Sequence, residues 1–186
     1  MKTKGENLKK ILYDGKWLQM VTVHDWEHVN RKNCTGIVII VAQTKENKLI
    51  LVEQFRAPLG KNVLELPAGL VNDKPGKKKE SFETAAQREL FEETGYDAKK
   101  FKFLAKGPVS PGLTGECVDF YLASGLDKKH EGGGDETENI KVHEVPLTNI
   151  RAWLKKMEKK GKVIDPKIYT GLYFLSTPSP GGRRLG

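Results

Sequence analysis

The amino-acid sequence predicts an α+β protein: a mixed β-sheet sandwiched between helices (an α/β/α arrangement), with a β-hairpin at its N-terminal side. Three observations predict it. Residues 36–42 are nearly continuous in Val and Ile, and 48–52 are again apolar, as strands covered on both faces are. Residues 81–94 carry a helix's capping signals between strand-like segments. Near the C-terminal end, apolar residues recur twice at helical spacing. Helices to either side of strands, with no internal repeat and no separate second domain, give the layered architecture.

Taken in order, Ile11, Leu12 and Tyr13, the turn Asp14-Gly15, and Trp17 to Val23 predict an N-terminal hairpin. Gly36 to Ala42 and Lys48 to Val52, joined by Lys45-Glu46-Asn47, predict a second hairpin. Val63 to Leu66 predicts a short strand ending in an irregular loop at Pro67-Ala68-Gly69. Ser81 caps a helix packed through Ala85, Ala86 and Leu90, and Gly95 terminates it. Strands follow at Phe101 to Leu104 and Val118 to Ala123, around a Gly- and Pro-rich loop from Gly107 to Gly115. Gly132-Gly133-Gly134 marks a mobile loop before a strand at Ile140 to Val145. Ile150, Trp153, Leu154 and Met157 form one helix. Asp165-Pro166 opens another through Ile168, Leu172 and Leu175. The expected division is an N-terminal segment, 1–33, a main domain, 34–176, and a disordered tail, 177–186.

Composition excludes several classes. A chain of 186 residues with 38% hydrophobic and 30% charged residues is that of one folded domain with a sizeable core. No run approaches the roughly 18 to 20 apolar residues of a membrane span, and the N-terminal residues lack a signal peptide's apolar stretch. A cytoplasmic location is expected. Cys34 and Cys117 are the two cysteines, without the spacing of a zinc site or a disulfide framework. The net charge of +8 is scattered, in part as Lys77-Lys78-Lys79 and Lys159-Lys160, without a recognition-helix or stacking motif. It reads as solvated surface, and nucleic acid is not an expected partner.

The informative stretch is Arg88-Glu89-Leu90-Phe91-Glu92-Glu93-Thr94-Gly95. On a helix, Glu89, Glu92 and Glu93 share one face. Arg88 reaches Glu92 at four-residue spacing but cannot neutralise three carboxylates, so a cation is expected to complete the site. Hard oxygen donors suit Mg2+, with Mn2+ the alternative. Arg88, Glu89, Leu90, Glu92, Glu93 and Gly95, with Glu80 ahead of them, resemble the box of the Nudix hydrolases, Gly-x5-Glu-x7-Arg-Glu-U-x-Glu-Glu-x-Gly-U, where U is bulky and aliphatic. Two positions depart from it. Tyr96 stands at the final U, and Gly69 precedes Glu80 by eleven positions instead of six, as though residues 74–78 were inserted. The insertion bears on the shape of the loop, not on the carboxylates.

Val52-Glu-Gln-Phe-Arg56, Leu64-Glu-Leu-Pro-Ala-Gly69 and Ser110-Pro-Gly-Leu-Thr-Gly-Glu116 resemble the ADP-ribose pyrophosphatase and nucleoside-diphosphate-sugar hydrolase branch. There a proline lies sixteen residues beyond the box glycine, as Pro111 lies beyond Gly95. The resemblance implies the Nudix fold, metal held by the Ala68 carbonyl, Glu89, Glu92 and Glu93, and a nucleotide-sugar substrate contacted by Arg56, Glu65, Pro111, Leu113 and Glu116. It implies a general base in the acidic loop, Glu136 or Glu138, with Glu92 sharing catalytic duty. It further implies a homodimer joined through the N-terminal strands, where aromatic residues such as Trp17 and Trp26 can stack on the base; a core or interface role is the preferred reading of both. The expected reaction is metal-dependent cleavage of ADP-ribose to AMP and ribose 5-phosphate. A broader hydrolase of GDP-mannose or UDP-sugars and a non-catalytic binding module are the alternatives.

Overall fold

The computed structural model describes residues 9–73, 76, 79–134 and 139–177. Its strands are β1 (Lys10–Asp14), β2 (Leu18–Val23), β3 (Trp26–Arg31), β4 (Gly36–Ala42), β5 (Lys48–Arg56), β6 (Lys61–Glu65), β7 (Ala68–Val71), β8 (Tyr96–Pro108), β9 (Cys117–Lys128), β10 (Lys141–Pro146) and β11 (Val163–Ile164). Helix α1 (Phe82–Thr94) lies between β7 and β8, α2 (Ile150–Lys159) follows β10, and α3 (Lys167–Ser176) follows β11.

The expected N-terminal hairpin is present as β1 and β2, closed by Gly15 N–H donating to the Leu18 carbonyl at 2.9 Å. Strand β3 extends it to a three-stranded antiparallel sheet. The β2–β3 turn is His24-Asp25, both at positive φ (51° and 65°), the conformation a tight hairpin turn requires. Asn-Gly or Asp-Gly is its usual signature, so the sequence did not reveal it. Val21 is the one fully buried hydrophobic residue of these three strands. A sheet with so little interior cannot enclose indole rings: Trp17 and Trp26 are exposed, which overturns a core role for them.

Strands β4 to β11 form two four-stranded mixed sheets rather than one, ordered β7-β4-β9-β8 and β10-β5-β6-β11. Strands β4 and β5 therefore do not form the expected hairpin. They meet at a single bridge, Gln43 to Leu49, and then enter different sheets. Two apolar runs around a polar turn carry the same pattern in either case. Alternation along β4 explains its unbroken apolar run. Val38, Ile40 and Ala42 pack towards Ala85, Ala86 and Leu90 of α1. Ile39 and Val41 pack with Leu49, Leu51, Leu64 and residues of α2 and α3, Ile150, Leu154 and Ile168. The layers are thus α1, the sheets, and α2 with α3.

Residues Ala68 and Gly69, expected in an irregular loop, begin strand β7 and pair with Ile39 and Val38. Leu66, expected to end the preceding strand, and Pro67 stay outside the strands, and the Pro67 carbonyl accepts from Ile40 N at 2.8 Å. The strands β8 and β9 are far longer than expected, and β11 pairs parallel with β6 at Val63 and Leu64.

Candidate active site

Helix α1 begins and ends on its own sequence. The Ser81 hydroxyl accepts from Thr84 N at 3.1 Å, and Gly95 takes the left-handed conformation, φ 74°. A side chain at Gly95 would place its Cβ 1.9 Å from the His130 carbonyl oxygen, so glycine is required by close approach as well as by φ. The carbonyls of Glu92 and Glu93 accept from Gly134 N at 3.1 Å and Gly133 N at 2.9 Å. The glycine run before residues 135–138 therefore caps the last turn of the acidic helix.

With Ala85, Ala86 and Leu90 turned to the core, Arg88 and the glutamates face β7. Arg88 is the organiser. Its Nε and Nη2 donate to the two oxygens of Glu80 at 3.2 and 2.9 Å, Nη2 also to the Leu70 carbonyl at 3.0 Å, and Nη1 to Glu89 at 2.7 Å and Glu92 at 3.1 Å. That engages every donor of the guanidinium fork. Burial works against its charge, but Glu80 and Glu89 more than offset this and raise its pKa further. Glu80 is fixed in turn by Asn72, whose Oδ1 accepts from Glu80 N at 2.7 Å. The Asn72–Glu80 contacts tie Glu80 to the end of β7, which holds it within reach of Arg88 despite the longer spacing from Gly69.

Gly69 lies against Glu89, and a Cβ there would come within 1.9 Å of the Glu89 carboxyl carbon. Glu93, 2% exposed, accepts from Ala68 N at 3.1 Å. Burial drives the Glu89 pKa up to about 7, Arg88 opposes it, and Glu92 and Asp73 add to the rise. Ala68, Gly69, Asp73, Arg88, Glu89, Glu92 and Glu93 line one cleft of about 300 Å³, together with Arg31, Gln54 and Arg56.

Among the described residues no three acidic, His or Cys side chains are gathered as a finished metal cage; Arg88 reaches between Glu89 and Glu92. The donor set nevertheless fits a hard dication. It is all oxygen, Glu89 is costly to ionise without added positive charge, and Asp73 Oδ1 is buried with no hydrogen-bond partner among the described residues.

Ala68, Glu89, Glu92, Glu93 and Arg56 thus meet on the cleft. Glu65 stands behind it, bonded to Arg56. Glu116 lies in an adjoining cavity of about 370 Å³ with Asn30, Cys34, Lys106 and Cys117, and Arg31 lines both spaces. Arg31 Nε donates to Glu116 at 2.8 Å. Pro111 and Leu113 are exposed and line neither cavity; the Leu113 carbonyl accepts from Val29 N at 2.9 Å. Glu136 and Glu138 lie outside the described residues. Sequence reasoning missed Arg31, Gln54 and Asp73. Gln54 was within reach, since it shares a strand face with Arg56 two residues on. Arg31 is delivered by β3, which carried no turn signature.

A family model described as the NUDIX domain matches residues 32–167. The ADP-ribose pyrophosphatase of Bacillus subtilis (strain 168) is 37% identical over 177 residues, which cover 90% of this chain and 89% of that protein. The methanol dehydrogenase activator of Bacillus methanolicus is 36% identical over 75% of this chain and 71% of its own. The GDP-mannose pyrophosphatase of Escherichia coli (strain K12) is 32% identical over 83% of this chain and 78% of its own. A crystal structure of an ADP compounds hydrolase superposes with a TM-score of 0.60 at 24% identity, over 79% of this chain and 83% of that one, a likeness of fold.

Proposed function

The chain belongs to the Nudix family and is a pyrophosphohydrolase, and from that premise we propose that it cleaves nucleoside diphosphate sugars, ADP-ribose first among them. The observation that carries the proposal is the meeting of three box glutamates with Arg56 and Arg31 on one cleft. Carboxylates alone would repel a diphosphate; two guanidinium groups lining the same cleft supply the complementary charge.

Glu89, Glu92, Glu93 and the Ala68 carbonyl would hold a divalent metal, Mg2+ or Mn2+. When bound, it supplies positive charge against the diphosphate oxygens and makes water a stronger nucleophile. Arg56 and Arg31 fix the diphosphate by its non-bridging oxygens, and Arg88 keeps Glu89 and Glu92 in place. Water attacks one phosphorus, the bridging P–O bond breaks, and ADP-ribose yields AMP and ribose 5-phosphate. The water's proton passes to a carboxylate. Glu92 is the candidate among the described residues, its side chain 34% exposed against 12% for Glu89, and Glu136 and Glu138 are candidates from the sequence. Rates of Glu92→Gln, Glu136→Gln and Glu138→Gln identify the acceptor.

The relative named for GDP-mannose supports a second substrate reading that uses the same residues. The test is phosphate release from ADP-ribose, GDP-mannose, UDP-glucose and dinucleotides with Mg2+, coupled to a phosphatase that attacks only the products. Preference for ADP-ribose is expected. Preference for GDP-mannose would move the assignment to the second reading, and no release with any metal would overturn both. We further propose a homodimer joined through the N-terminal sheet, supported by Ile11, Tyr13 and Trp26 exposed on it and Trp17 exposed in its first turn. Sedimentation at the monomer mass would contradict that.

A further inference from the structure

Arg56 ends β5 beside Lys61, whereas Glu65 lies opposite Val52, four residues back along the hairpin. Residues 52, 54 and 56 share a face of the strand with their cross-strand partners, Glu65 included. The Arg56 side chain therefore turns back along β5, past Gln54, and its Nε donates to Glu65 Oε2 at 2.8 Å. Among the described residues its guanidinium makes no other hydrogen bond, and it lines the carboxylate cleft. Glu65 is 8% exposed and does not line the cleft. A carboxylate so placed sits off the cleft lining, and its bond to Nε sets how the arginine on that lining is turned.

We infer that Glu65 is a positioning residue for Arg56: it takes the Nε–H, fixes the guanidinium plane, and leaves the paired Nη donors to grip the diphosphate. This replaces the direct substrate contact the sequence suggested for Glu65, and it rests on the cleft taking a diphosphate. Burial pushes the Glu65 carboxyl up while Arg56 pulls it down, so each group depends on the other. The geometry matches the chemistry, because a guanidinium holds phosphate well only when its edge is presented in one plane.

The test is steady-state kinetics on ADP-ribose for wild type, Glu65→Leu, Glu65→Gln, Arg56→Ala and the Arg56→Ala/Glu65→Leu double variant, each checked for folding by thermal melting. Glu65→Leu should raise KM about tenfold with kcat within about threefold, an effect near 1.4 kcal/mol. Glu65→Gln, whose amide oxygen still accepts from Nε, should recover most of the loss. In the double variant KM should equal that of Arg56→Ala alone, since with no arginine to orient Glu65 has no further effect. Multiplying effects in the double variant, or an unchanged KM in Glu65→Leu, would overturn the inference. Should Glu65→Leu fail to fold, Glu65→Asp, one methylene too short, must show the same KM rise. A wild type inactive on every sugar nucleotide would instead refute the functional reading, and this inference with it.

Discussion

At the scale of single residues, the site is a balance of crowded carboxylates around one guanidinium. Lysine at position 88 has three donors on one nitrogen and cannot span Glu80, Glu89, Glu92 and the Leu70 carbonyl together. Arg88→Lys should cost about 3 kcal/mol of stability, as breaking a part-buried ion network does, and denaturant titration measures it. Glu93→Gln keeps an oxygen for Ala68 N, so it should melt close to wild type while losing at least about a hundredfold in turnover; an unchanged rate would remove Glu93 from the proposed metal set. Away from the cleft, Glu53 is 7% exposed. Burial raises its pKa, but Lys162, Asn62 at 3.0 Å and His143 at 3.0 Å together outweigh this and bring it to about 2. The folded value lies below the ordinary glutamate value of about 4.3. The carboxylate's contribution is therefore complete above that pH and is lost as pH falls towards about 2. Melting curves of wild type and Glu53→Gln should be well separated at pH 7 and converge on acidification. A gap that stayed constant would contradict the network.

At the scale of elements, α1 was readable because its signals are local: a serine cap, small and apolar residues on one arc, and a terminal glycine. Ser81→Ala should cost about 1 kcal/mol. Gly95→Ala should cost more, about 2 kcal/mol or above, because it adds a clash with the His130 carbonyl to an unfavourable φ. Equal costs for the two, measured by chemical denaturation, would contradict the packing of α1 against the segment around His130. Strand β7 was unreadable for the opposite reason. Pro-Ala-Gly is turn chemistry on any local scale, and only pairing with β4 makes Ala68 and Gly69 a strand. Gly69 is glycine because Glu89 rests on it, a contact twenty positions away in the chain.

At the scale of the whole molecule, the sequence carried the alternation of helices and strands and the carboxylate half of the cleft, since Glu89, Glu92 and Glu93 sit on one helix. It did not carry the division into two sheets, because β4 and β5 look like a hairpin until their partners are known. Nor did it carry the basic half of the cleft in full. Arg31 arrives from the separate N-terminal sheet and is held by Glu116, 85 positions on, and no local pattern records such a pairing. The cleft is thus assembled from the acidic helix, β5, β7 and the N-terminal sheet, and its proposed chemistry needs all of them. The most direct measurement is to identify the products of ADP-ribose by mass spectrometry, with Mg2+ and with chelator, for wild type beside Glu93→Gln. AMP and ribose 5-phosphate from wild type with metal, and neither from the other three samples beyond trace, is the predicted result; intact ADP-ribose in all four, or equal product from Glu93→Gln, would contradict it.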